Sequence, residues 1–243
     1  MKNTQRLFIT TAFCALVSCA SATASSYYKT GAVLGTGLGY STLSSKATDT
    51  LFYDGIPNSS GSFKKTKRSN GFVVDLIAGY RYALNERFIT GFNVVLNKDT
   101  NKIKNIVGVP QTTATSQTEI YRQFSVVPEI MGGYIFAKQW MAYLKFGLSI
   151  SRFKIDNKIL AATFTINSDK TVTKIGFKPT LGLEYAMNNK ASVFTDVSYE
   201  YIASFKSKLN NQNDPTQFSA TDTHDVKVRP HYFTAKVGVL YKF

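Results

Sequence analysis

From Tyr27 to the end of the chain, apolar residues recur at every second position over stretches of ten or more. A period of two is the side-chain repeat of a β-strand, whose neighbours point to opposite faces. Residues 31–43 put Ala32, Leu34, Thr36, Leu38 and Tyr40 on one face and Gly31, Gly35, Gly37 and Gly39 on the other. Residues 71–83 set Phe72, Val74, Leu76, Ala78, Tyr80 and Tyr82 against Asp75, Gly79 and Arg81. Residues 88–97 set Phe88, Phe92, Val94 and Leu96 against Gly91, Asn93 and Asn97. The same alternation predicts strands over 120–136 (Phe124 and Ile130 against Gln123 and Glu129) and 140–153 (Trp140 and Phe146 against Tyr143 and Lys145). It continues over 172–187 (Phe177 and Leu181 against Lys178 and Glu184), 191–205 (Val197 and Tyr201 against Asp196 and Glu200) and 229–243. Eight strands are predicted in all.

Alternation alone also fits a soluble, half-buried sheet, so the arrangement of residue types has to decide. Charged residues and glycines share one face and the large aromatics share the other, the reverse of a soluble barrel. Aromatics gather at strand ends, as at Phe136/Trp140, Tyr185 and Tyr241/Phe243, where interfacial girdles lie. Connections alternate in length: 84–87, 137–139 and 188–190 are short, whereas 44–69, 98–118, 154–171 and 206–228 are long and polar. These features predict an all-β, closed, antiparallel up-and-down transmembrane β-barrel, with short periplasmic turns and long extracellular loops. Closure satisfies every backbone group in lipid, which an open sheet cannot. Inward residues keep one parity across each short hairpin, which requires odd turns of three or five residues. The third loop leaves an alternative open: 158–166 and 171–175 could pair around Asn167-Ser168-Asp169, and an extra hairpin there would give ten strands.

Composition agrees. At 243 residues, 44% hydrophobic and 18% charged, the chain has material for a core, which excludes collagen, coiled coil and outright disorder. It contains no run of roughly 18 apolar residues, which excludes a polytopic helical membrane protein. Residues 1–24 read as a cleaved signal peptide: Lys2 and Arg6 precede the apolar stretch Leu7 to Val17, and Ala22-Thr23-Ala24 supplies the small cleavage residues. Leu16-Val17-Ser18-Cys19 also fits a lipoprotein box, so lipidation of Cys19 is the alternative. Cleavage after Ala24 would remove both cysteines, Cys14 and Cys19, and two of the cations, leaving a barrel domain over 25–243 with net charge lowered from +14 to +12.

The opening strand Gly31–Tyr40 and the closing strand Phe233–Phe243 carry a resemblance. The chain resembles the small eight-stranded outer-membrane barrel superfamily: the OmpA transmembrane domain, OmpX-like proteins and opacity-type surface antigens. The resemblance covers 27–243 and implies residence in the outer membrane of a Gram-negative bacterium. It implies that Phe233, Ala235, Val237, Val239, Tyr241 and terminal Phe243 form the signal read by the barrel assembly machinery. It also implies that, ending at Phe243, the chain lacks the peptidoglycan-binding domain of full-length OmpA-type proteins and is not anchored to the cell wall.

Inward positions hold Asp75, Glu129, Glu184, Asp196 and Glu200 against Arg81, Lys145, Lys178 and Lys236. An eight-stranded barrel is just wide enough for side chains to fill it, and charges confined there must pair. The pairs expected are Glu129–Lys145, Lys145–Glu184 and Asp196–Lys236, forming a plug. A narrow ion pathway is the alternative. Basic residues otherwise concentrate in two loops: Lys46, Lys64, Lys65, Lys67 and Arg68 in the first, and Lys98, Lys102 and Lys104 in the second, where Asp99 is the opposing acid. Such a patch suits anionic host glycans or phosphorylated headgroups. Arg122, Arg152 and Arg229 are expected to point outward at the loop rim, toward lipid or lipopolysaccharide phosphates.

The function expected is that of a monomeric surface structural or interaction protein, acting through loops 44–69 and 98–118 in adhesion or antigenic display. A small-solute porin is the competing class, and a lipid-modifying enzyme the third. Catalysis is not expected, because the two histidines, His224 and His231, have no evident serine–carboxylate partners. No cofactor, metal site or nucleic-acid partner is expected either.

Overall fold

The computed structural model describes the backbone of residues 27–52, 61–108, 115–160, 165–210 and 223–243, with side chains over 27–46, 66–104, 117–156, 169–205 and 227–243. The signal segment expected over 1–24, with Cys19, and the side chain of His224 lie outside them. Among the described residues the strands are β1 (Gly31–Phe52), β2 (Gly61–Ala83), β3 (Phe88–Asp99), β4 (Lys102–Gly108) and β5 (Thr115–Ala137), then β6 (Trp140–Leu160), β7 (Thr165–Ala186), β8 (Ala191–Ile202), β9 (Phe205–Asn210) and β10 (Thr223–Lys242). All pairings are antiparallel, in the order β1-β2-β3-β5-β6-β7-β8-β10, and β1 pairs with β10 to close the barrel.

Ten segments make eight staves. β3 and β4 both pair with β5, interrupted only at Thr100-Asn101, and β8 and β9 both pair with β10, interrupted at Ala203-Ser204. The ten-strand alternative fails for a reason of register. The β6–β7 ladder runs unbroken from Trp140↔Tyr185 to Leu160↔Thr165, so Asn157 faces Ser168 and no turn forms at Asn167-Ser168-Asp169. At the short-turn end, five residues separate the last pairs Ala83↔Ile89 and Ala186↔Ser192, as the parity argument requires; the β5–β6 hairpin departs from it, because a register shift between Ile135 and Ala137 leaves an even turn of two residues inside Ala137↔Trp140.

Outward side chains form a belt. Leu38, Tyr40, Phe72, Leu76, Ile130, Leu148, Ile175 and Val237 are exposed, a surface that only lipid would cover. The stretches expected to be loops are largely ladder: Ser44 to Leu51 pair with Arg68 to Gly61. Above the belt the outward face turns polar, so the apolar alternation that marks a strand in lipid disappears while the strand continues. The β7–β8 ladder ends at Gly176↔Ile202, and the β2–β3 ladder at Val73↔Asp99. Beyond those points the wall divides into a β2–β1–β10–β9 sheet and a β4–β5–β6–β7 sheet.

The interior is packed at both ends. Toward the short turns, Tyr28, Ile77, Ile89, Val127, Met131, Met141, Phe194 and Leu240 belong to one apolar cluster. Toward the long hairpins, Leu43, Ile103, Ile120, Phe153, Ile155, Ile202, Phe205, Val228 and Tyr232 form a second, between the two sheets. The sequence reading assigned the interior to glycine and charge, yet bulky apolar side chains take much of it. Glycines opposite them make room: a Cβ on Gly238 would stand 2.4 Å from the Phe194 ring.

Candidate functional site

Twelve charged side chains are buried among the described residues, six acidic and six basic. Nine are those expected inside the barrel; Asp99, Arg122 and Lys242 join them. The equality matters, because an unmatched charge in so narrow a space would cost several kcal/mol or so. The net positive charge of the chain therefore lies elsewhere.

The charges form three groups. Near the short turns, Arg81 Nη1 meets Glu184 Oε2 at 2.6 Å, and Lys242 Nζ lies 3.9 Å from Glu184 Oε1. Ser192 Oγ donates to the same carboxylate at 2.6 Å. Tyr28, just before β1, tucks beneath this group: its hydroxyl donates to the Gln139 and Glu184 carbonyls at 2.9 and 3.0 Å, and Lys242 Nζ stands 4.3 Å from its ring centroid.

In the middle, Lys236 pairs with Asp75 and, at 3.5 Å, with Asp196, while Lys145 meets Asp196 at 3.5 Å and Lys178 meets Glu129 at 3.7 Å. Of the three pairs expected, Asp196–Lys236 forms. Glu129–Lys145 does not, because Glu129 faces Gly147 across the ladder and Lys145 faces Met131. Lys145–Glu184 fails likewise, since Lys145 is opposite Thr180 and Arg81 occupies Glu184.

The third group corrects the sequence reading most. Arg122 is buried, not at the outer rim: Nε meets Asp99 Oδ2 at 2.6 Å, Nη1 meets Glu200 Oε2 at 2.7 Å, and the guanidinium lies 4.0 Å from the Tyr232 ring centroid. A register shift between Arg122 and Phe124 is the cause. A β-bulge adds one residue to a strand and so reverses the facing of everything beyond it. Gln123, expected inward, sits within that shift and is half-buried. Asp99 is correspondingly an interior group, not the acid of a surface loop; its carboxylate also accepts from the Asn101 backbone amide at 3.0 Å.

Outside, the expected basic patch is divided. Lys102 and Lys104 flank Glu119 at 3.2 and 3.6 Å. Lys67 turns to the Lys104 carbonyl. Lys98 is exposed opposite Val74, at belt height. Lys46 and Arg68 stand on the outward face, and the side chains of Lys64 and Lys65 lie outside the described residues. Arg152 and Arg229 are exposed, as expected. Lys154 pairs with Asp156 and Asp169, and its hydrogen bond to Asp156 holds the ammonium above the ordinary lysine range. Phe233, Val237, Val239, Tyr241 and Phe243 form an exposed outward row on the closing strand. His231 lies on that face too, 5.0 Å from the Tyr201 ring and 6.1 Å from Tyr199.

Among the described residues no group of three or more His, Cys, Asp or Glu side chains is placed to hold a metal ion. No helix there is long and apolar enough to cross a membrane.

The family described as outer membrane protein beta-barrel domain matches residues 11–243. No curated protein matches the sequence. Among solved structures, Neisserial surface protein A is 18% identical, covering 84% of this chain and 97% of its own, with a TM-score of 0.40. The outer membrane protein OprG from Pseudomonas aeruginosa is 16% identical, with 90% and 99% covered and a TM-score of 0.49. The outer membrane protease OmpT from Escherichia coli is 10% identical, with 87% and 97% covered and a TM-score of 0.43. None of these likenesses assigns an activity.

Proposed function

The chain belongs to the outer membrane protein beta-barrel domain family, and from that premise we propose that it is a surface interaction protein, presenting its projecting hairpins for adhesion or antigenic display. One observation carries this reading. The interior is filled by two apolar clusters and a charge-balanced middle, whereas the β1–β2 ladder continues eleven residues beyond Tyr40, to Leu51↔Gly61. At about 3.3 Å per residue that is on the order of 35 Å along the strand. A hairpin of that reach, with Lys64 and Lys65 on its returning strand, suits an anionic host surface. The outward stacking of His231 on Tyr199 and Tyr201, away from the lumen carboxylates, supports a non-catalytic role.

The test replaces 47–65 by a short turn and measures retention of the refolded barrel on an immobilised sulfated glycosaminoglycan. Loss of retention, with heat-modifiable migration preserved, is expected. Equal retention by the shortened barrel overturns the reading, as does a wild-type barrel that is not retained.

A second reading, a narrow channel, has its own observation. Ser125, Thr180 and Ser198 hold buried hydroxyl oxygens with no protein partner among the described residues, and buried hydroxyls in that state call for water. Single-channel recording separates the two: regular openings from the wild-type barrel would put the channel first.

A further inference from the structure

Three cations on the outward face of the β10–β1–β2 seam have no carboxylate beside them among the described residues: Lys46, Arg68 and Arg229. Register brings them together. Lys46 is the cross-strand partner of Arg229, and Ser44, two residues earlier on the same face, is flanked by Arg68 on one side and His231 on the other. Directly opposed side chains of an antiparallel pair have Cβ atoms about 5 Å apart, and diagonal neighbours stay within reach of long side chains. Like charges so placed repel, and no carboxylate among the described residues offsets it there. The contrast is with the outward cations above β4–β7: Glu119 serves Lys102 and Lys104, and Asp156 and Asp169 serve Lys154, whereas Lys98 and Arg152 stand without a carboxylate but singly, not opposed to another cation.

The seam lies just above the lipid belt. Phe233, exposed, pairs with Thr42, and Tyr40 pairs with Phe72 one outward row below. Arg229 is four residues beyond Phe233, about 13 Å along the strand and roughly 10 Å along the membrane normal at a usual barrel tilt. That is headgroup depth, given the ~5–8 Å interfacial layer on each side of the hydrocarbon and the reach of long basic side chains. Arg68, Lys46 and Arg229 are all exposed, and the outward hydroxyls of Thr42, Ser44 and Thr66 share the face. Two guanidinium forks and an ammonium around hydroxyl donors match the oxygens of a phosphate monoester.

We infer that the Lys46–Arg68–Arg229 seam is a binding site for the phosphate groups of a phosphorylated glycolipid of the outer leaflet. An anion seated between Lys46 and Arg229 would turn their mutual repulsion into a shared attraction and hold one lipid at the seam that closes the barrel. The inference is independent of the hairpins' binding anything, since the shortened barrel above keeps all three cations.

The experiment is native mass spectrometry of the refolded full barrel in detergent, titrated with bisphosphorylated lipid A. Each Lys or Arg near a charged membrane surface is worth a factor of about five, so Lys46→Gln, Arg68→Gln, Arg229→Gln together should weaken binding by on the order of 100-fold. Lys102→Gln with Lys104→Gln should leave it within about twofold, and lipid A stripped of phosphate should bind wild type no better than the triple variant. Heat-modifiable migration establishes that each variant is folded. A second arm adds millimolar inorganic phosphate, which should not displace the lipid. Unchanged lipid A binding by the triple variant, an equal loss in the Lys102/Lys104 variant, equal binding of phosphate-free lipid A, or displacement by free phosphate would each overturn the assignment.

Discussion

Tyr143 lies over Gly182, its cross-strand partner on β7, so closely that a Cβ on the glycine would stand 2.3 Å from Tyr143 Cζ. The ring is held from above as well: its hydroxyl is 3.4 Å from Asp196 Oδ2, and Lys145 Nζ is 4.5 Å from its centroid. Gly182→Ala should therefore displace the ring and disturb the Lys145–Asp196 pair, costing about 1–3 kcal/mol. Gly132→Ala, where a Cβ meets nothing within 4 Å, is the control and should be near neutral. Urea unfolding in lipid vesicles, followed by Trp140 fluorescence, checks both. Equal midpoints for the two variants would refute the crowding argument.

Arg122 carries a sharper expectation. Arg122→Met leaves Asp99 and Glu200 buried without their cation, which should cost roughly 3–5 kcal/mol. Adding Asp99→Asn and Glu200→Gln should recover most of it, because the penalty belongs to the stranded carboxylates more than to the lost attraction. The same unfolding measurement decides. A triple variant no more stable than the single one would mean that stacking on Tyr232 dominates.

How much of this was legible beforehand depends on where lipid touches the chain. Within the belt, alternation such as Phe72, Val74, Leu76 against Asp75 is enforced by hydrocarbon, and the strands and closure follow from it. Above the belt both faces of a stave can be polar, so Ser44–Leu51 carried no strand signal although it is paired throughout. Arg122 was misplaced because a bulge changes parity without any mark in composition; Ile120, on the same side of the shift, is interior with it. Lumen partners were misassigned for a related reason: register fixes which residues face one another, and a two-residue slip replaces Lys145 by Gly147 opposite Glu129.

Tyr28 should prove a fastener of the short-turn end. Tyr28→Phe removes one hydroxyl that donates to two carbonyls, Gln139 and Glu184, and should cost about 1 kcal/mol. Tyr28→Ala also empties a ring that is only 4% exposed and carries Lys242 on its face, so about 3–5 kcal/mol is expected. Amide exchange at the β5–β6 and β7–β8 turns should accelerate in the alanine variant while the long hairpins keep their protection. Uniform acceleration along the chain would argue against a local role.

The layered interior makes a prediction about conduction that single deletions cannot meet. Glu129→Ala with Lys145→Ala cuts only the middle group and leaves both apolar clusters in place, so a planar bilayer should stay as silent as with wild type. Opening requires the other layers to yield as well. Arg122→Ala and Tyr232→Ala remove the bridge and a ring of the upper cluster, and Tyr28→Ala removes a ring of the lower cluster at the opposite end. The five-substitution barrel also leaves Asp99 and Glu200 without their arginine, so its openings should favour cations. Steps from the Glu129/Lys145 variant alone would show that the middle charges are the only barrier and that the apolar clusters part readily.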